Sequence, residues 1–68
     1  MDRLGKLEEK LLMAIFESKE GFVTSRMIDS ALIPANEELE DRGYAKLTGP
    51  QLHITEKGRD YVHKYLSQ

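Results

Sequence analysis

The chain has 68 residues, 40% hydrophobic and 32% charged, with twelve acids against ten lysines and arginines and a net charge of −2; this is the composition of one small globular domain, not of a disordered chain. A domain this short buries only about 60% of the surface its unfolded chain exposes, so its core is modest and self-association is one route to further stability. The absence of cysteine rules out a disulfide and a thiolate zinc site, and no apolar run approaches the ~20 residues that cross a bilayer.

Residues 3–19 fit a helix. Leu4, Leu7, Leu11, Ala14 and Ile15 recur at steps of three and four and fall on one stripe, while Lys6, Glu9, Lys10 and Glu17 fall away from it. Leu12, Met13 and Phe16 form a second apolar strip. Two readings fit that strip: a central helix packed on two sides, or a homodimer seam. Gly21 is the expected stop. The opening residues "MDRLGKLEEKLL" are too charged and too periodic for a secretory signal, so a cytoplasmic location is expected.

In "FVTSRMIDSAL", Thr24 or Ser25 suits an N-cap, because a side-chain oxygen there accepts an otherwise orphaned amide hydrogen. Met27, Ile28, Ala31 and Leu32 then predict a short helix with an inward face, broken at Ile33-Pro34. A third helix is predicted from about Pro34 to Arg42, since proline is well placed in a first turn. Ala35 and Leu39 facing inward set Asn36, Glu37, Glu40 and Asp41 outward. Glu38 precedes Arg42 by four residues, the favourable order for an ion pair along a helix. Gly43 supplies the left-handed residue that ends the helix.

"YAKLTGPQLHIT" alternates around Gly-Pro and predicts a hairpin with strands near 45–48 and 51–54. "TEKGRDYVHKYLSQ" then opens on Thr55 as a cap and predicts a last helix to about Leu66, with Val62, Tyr65 and Leu66 apolar. Glycine within a helix costs about 1 kcal/mol relative to alanine. Gly58 therefore implies close approach to another backbone.

This order, together with "LEDRGYAKL" and "ITEKGRDYV", resembles the winged helix-turn-helix superfamily, in particular small MarR- and PadR-like domains. The matching positions are Leu39, Gly43, Tyr44, Ile54, Thr55 and Gly58, and the likeness covers roughly residues 7–66 of a single domain, 1–68. The resemblance implies an α+β, mainly α fold: three helices, a two-stranded β-hairpin wing and a C-terminal helix. It also implies a DNA-binding transcriptional regulator. By the same likeness, Ser25 and Arg26 would meet the backbone, Asn36, Glu37 and Glu40 would stand on the reading helix, and Lys46, Gln51 and His53 would lie on the wing. Lys57 would reach a phosphate from the last helix.

Charge runs the other way. Residues 24–42 carry −3, and residues 43–68 carry +2. Affinity for DNA comes largely from cations that displace counterions from phosphate, and Glu37, Glu40 and Asp41 on the reading helix oppose it. The alternative is a protein-interaction module that presents those acids to a basic partner.

Other chemistries find little support. His53 and His63 lack the spacing of a zinc site, no serine sits in a nucleophile elbow, and no glycine-rich phosphate loop is present. Tyr44, Tyr61 and Tyr65 read either as stacking platforms or, at these amphipathic positions, as core edge. Neither enzymatic activity nor a cofactor or metal is expected. The expected partners are double-stranded DNA or a basic protein, with a homodimer of Leu12, Met13 and Phe16 as the route to doubled phosphate contacts.

Overall fold

The computed structural model describes residues 3–24, 26 and 28–66. It is an α+β fold, mainly helical, with three helices and a small three-stranded antiparallel sheet. In chain order the elements are α1 (Lys6–Glu17), β1 (Phe22–Thr24), a 3₁₀ turn (Ser30–Leu32), α2 (Ile33–Asp41), β2 (Ala45–Thr48), β3 (Gln51–Ile54) and α3 (Glu56–Tyr61), extended by a wider π-type turn (Val62–Leu66). The sheet order is β1-β3-β2.

α1 starts where Glu8 Oε1 accepts from the Gly5 N–H at 2.8 Å, satisfying one of the donors that a helix start leaves open. Leu11, Leu12 and Ile15 face inward and are buried. The predicted stripe is displaced around the helix, since Leu7 is 49% exposed and Ala14 is also exposed. Leu4 is buried, but from a position before the helix begins. The displacement follows from α1 packing against α2, β1, β3 and the C-terminal π turn at once. Leu12 has no exposed surface, and half-buried Met13 and Phe16 pack on the same core. The strip read as a dimer seam is therefore interior to one chain at Leu12, and the helix packed on two sides is what forms.

The segment after Gly21 departs from expectation. Phe22-Val23-Thr24 is a strand, not the approach to a helix, and it pairs antiparallel with β3 as Phe22↔His53, Val23↔Leu52 and Thr24↔Gln51. An aromatic and two β-branched residues suit a pleated strand, and β3 offers them an open edge. Thr24 is thus a strand residue; Ser25 and Met27 lie outside the described residues. Extended backbone at Asp29 (ψ 138) rules out a helix running from Ile28 to Leu32. Asp29 caps the 3₁₀ turn instead, its carboxylate accepting from the Ala31 N–H at 3.2 Å. That turn runs straight into α2, with Pro34 in the first helical turn.

α2 ends in a Schellman motif. The Tyr44 N–H donates to Leu39 O at 2.9 Å and the Gly43 N–H to Glu40 O at 3.1 Å, with Gly43 at φ +81, the left-handed region only glycine enters cheaply. The hairpin has the expected bounds, with Ala45 opposite Ile54 and Thr48 opposite Gln51. Leu52 and Ile54 turn into the core, which Leu4, Leu11, Leu12, Ile15, Ala35, Leu39, Ala45, Tyr61 and Val62 complete. Among the described residues no helix is long and apolar enough to cross a membrane.

Candidate nucleic-acid interface

Side chains alternate across a strand, so the pairing register sorts the sheet into two faces. Leu52 and Ile54 mark the inner one. The outer face carries two cross-strand rows: Phe22, His53 and Lys46, then Thr24, Gln51 and Thr48. Lys46 and Thr48 are exposed, the other four are half-buried, and none of the six is buried. The His53 ring tilts against Phe22 with centroids 5.1 Å apart, and its Nε2 lies 3.2 Å from Gln51 Oε1. In a chain with twelve acids, neither residues 21–28 nor residues 43–55 contain one. The three strands therefore carry no carboxylate, with Glu20 lining one depression together with Phe22 and Glu56 following β3 by two residues, while Lys46 and exposed Arg26 bring positive charge to the sheet. Phe22 was absent from the sequence-based set, because its place beside His53 exists only once β1 joins the sheet.

α2 presents the opposite charge. Glu37, Glu40 and Asp41 line one shallow depression, with Glu37 and Asp41 exposed. Glu38 and Arg42 make the expected ion pair. Asn36 is a correction. It is half-buried, its Oδ1 is enclosed, and that atom has no hydrogen-bond partner among the described residues. A residue three positions before Leu39 and four before Glu40 lies about 60° from the first and about 40° from the second around the helix, so Asn36 sits on the flank between the core and Glu40.

Lys57 is tied down. Its Nζ donates to Arg42 O at 2.7 Å and lies 4.8 Å from the centre of the Tyr44 ring, placing a cation at the negative end of α2. Thr55 Oγ1 donates to Gly43 O at 2.7 Å and accepts from the Gly58 N–H at 3.1 Å. The paired motifs "LEDRGY" and "ITEKG" are thus two halves of one clamp.

No match is found among protein-family models, curated proteins or solved structures.

The three tyrosines form a column, with Tyr44 and Tyr61 centroids 5.2 Å apart and Tyr61 and Tyr65 4.7 Å apart. Lys57 stands over one end, and Arg3 and Lys64 stand over Tyr65 at 4.9 and 5.4 Å. Tyr61 is 4% exposed and offers no face to a ligand. Its hydroxyl accepts from the Leu4 N–H at 2.9 Å and donates to Glu9, which also pairs with Arg3 at 2.9 Å. Tyr61, then Arg3, hold the Glu9 carboxyl below the usual range. Burial, then the bond to Glu9, push the Tyr61 phenol above its usual range. This network fastens residues 3–4 to α3; it is structural. His63 sits edge-on to Phe16 at 5.5 Å, and no metal-binding group of three His, Cys, Asp or Glu occurs among the described residues.

Proposed function

We propose that this chain is a small winged-helix DNA-binding protein acting in transcription regulation, with the hairpin and β1 as its gripping surface. The order helix, strand, turn, helix, hairpin, helix supports the winged-helix reading, as does the way β1 completes the hairpin's sheet. One observation carries the functional step: the sheet face bearing Lys46, His53 and Gln51 has no acid, whereas α2 carries three on its outer side. Phosphate is drawn to the first surface and repelled by the second. α2 accordingly acts as a fender that limits non-specific contact, and sequence reading through it is minor. Exposed Arg26 adds a backbone contact, and Lys57 reinforces the end of α2 beside the hairpin.

Duplex binding across a salt series tests this. Two phosphate contacts, Lys46 and Arg26, give a log–log slope of about −2, and Lys46→Ala reduces it by about 1. No binding to excess random duplex at low salt would overturn the proposal. Glu37→Lys with Glu40→Lys should raise non-specific affinity by removing the fender.

A second reading is favoured by the depression that Glu37, Glu40 and Asp41 line together: a docking surface for a basic protein. In that case the charge reversal abolishes binding of the basic partner, and the unaltered chain does not bind duplex even at low salt. A homodimer, under either reading, needs a seam other than Leu12; among the described residues the exposed large apolar side chains are Leu7, Ile33 and Leu47.

A further inference from the structure

We infer that the outer face of the sheet also binds unpaired nucleic-acid strand, with bases stacked on the Phe22–His53 pair and the sugar-phosphate backbone held by Lys46. The inference rests on the proposal that this sheet is a nucleic-acid surface, and it names the form of nucleic acid that the surface fits best.

Three observations converge on a single strand. The first is chemical composition. The two rows combine a phenyl ring, an imidazole, an ammonium, an amide and two hydroxyls, with no carboxylate among them. Surfaces that hold single strands pair aromatic rings for base stacking with cations for the backbone, and stacking tolerates any base because each has a π-face. Bases inside a duplex are already stacked, so a sheet laid on the outside cannot use its rings on them.

The second is size. Three strands at about 4.8 Å spacing make a face about 10 Å across, and its two rows lie roughly 6.8 Å apart along the strands. That accommodates two or three nucleotides. The major groove alone is about 12 Å wide, so a duplex covering the hairpin extends beyond the sheet.

The third is the charge of what lies beside it. α2 packs against β2, and its outer side carries Glu37, Glu40 and Asp41. A duplex that overhangs β2 brings phosphates toward those acids. A strand following the row Phe22–His53–Lys46 lies on side chains that include no carboxylate, with Glu20 the single acid beside its β1 end against three on α2. Attraction at the sheet and repulsion at α2 thus favour the narrower ligand.

The test uses the full chain with labelled oligothymidylate and oligouridylate of about ten nucleotides, a random duplex, and heparin as a polyanion without bases. Fluorescence anisotropy reads affinity, and NMR follows the ring protons of Phe22 and His53. Both oligonucleotides are expected to bind, to shift those ring signals, and to lose about tenfold in affinity or more in Lys46→Glu and about fivefold or more in His53→Ala. Thymidylate and uridylate should compete for one site. Phe22→Leu keeps the strand apolar, and the NMR arm on the unaltered chain stands even where a variant fails to fold. Duplex binding through Lys46 without oligonucleotide binding overturns this inference and leaves the proposed function intact. Failure of both ligands overturns both. Oligonucleotide binding that heparin equals and His53→Ala leaves unchanged, or that shifts residues 57–65 instead of the sheet, also overturns it.

Discussion

A Cβ atom placed on Gly58 would lie 2.3 Å from the carbonyl oxygen of Tyr44 and 2.8 Å from Ile54 Cγ1. The first of these is backbone and cannot swing aside. Tyr44 O is held in place because it also accepts from the Thr55 N–H at 3.1 Å. Gly58→Ala gains about 1 kcal/mol of helix propensity, but a forced backbone shift in a packed site costs about 1–3 kcal/mol and sometimes more. The clash wins. We expect a net loss on the order of 1 kcal/mol, read by circular dichroism as a fall in Tm of about 4–8 °C. An unchanged or raised Tm would show that α3 stands off from the Tyr44 carbonyl.

Thr55 joins the same two elements through its hydroxyl, donating to Gly43 O while accepting from the Gly58 N–H. Thr55→Val keeps the shape and removes both bonds, with an expected cost of about 1–2 kcal/mol, the upper range for losing a cap. Thr55→Ser keeps the oxygen and should cost well under half of that. Equal losses in denaturant titrations of the two variants would mean that the methyl group, and not the hydroxyl, matters.

The parts of the fold that were legible in sequence are those fixed by local chemistry. Gly43 announces the end of α2 and Gly49-Pro50 the hairpin turn, where positive φ at Gly43 and Gly49 bears on short-range geometry alone. Thr55 and Gly58 were legible for the same reason. β1 was not, because three residues, Phe22-Val23-Thr24, carry no period of their own and become a strand only by adding to β3. That addition brings Phe22 beside His53, so this part of the candidate site was hidden with it. The inward side of α1 was misplaced by one strip because periodicity gives the angle between apolar residues but not which neighbour each one meets. Asn36 was misread for a related reason: on a helix of nine residues a flank position lies within about 60° of the core, and polarity alone does not say which way it leans.

Leu12 separates core from seam by a simple criterion. It has no exposed surface, so Leu12→Ala leaves a cavity and should cost about 2–5 kcal/mol. The resulting fall in Tm should be the same at all protein concentrations. A dimer seam would instead give a Tm that rises with concentration in the parent chain and loses that dependence in the variant. Thermal melts over a hundredfold concentration range distinguish the two, and concentration dependence would reassign the strip Leu12, Met13 and Phe16 to an interface.

The bond between Tyr61 and Glu9 sets how stability responds to pH. The Glu9 carboxyl titrates below its ordinary value in the folded chain, first because Tyr61 donates to it and then because Arg3 pairs with it. A depressed folded value means a contribution fully present above the unfolded pKa, about 4.3, and lost as pH falls through the folded value. Tyr61 is raised, first by burial and then by Glu9. Its contribution is fully present below the unfolded pKa of about 10 and lost as pH rises through the folded one. The network therefore stabilises the chain between these limits and weakens at both ends. Tyr61→Phe leaves the buried Leu4 N–H without its acceptor, a loss on the order of 2 kcal/mol near neutrality, and it should flatten both limbs. Glu9→Gln should flatten the acid limb and leave the Leu4–Tyr61 bond in place. Urea midpoints measured from pH 3 to pH 11 check this, and an acid limb of full steepness in Glu9→Gln would place the responsible carboxylate elsewhere.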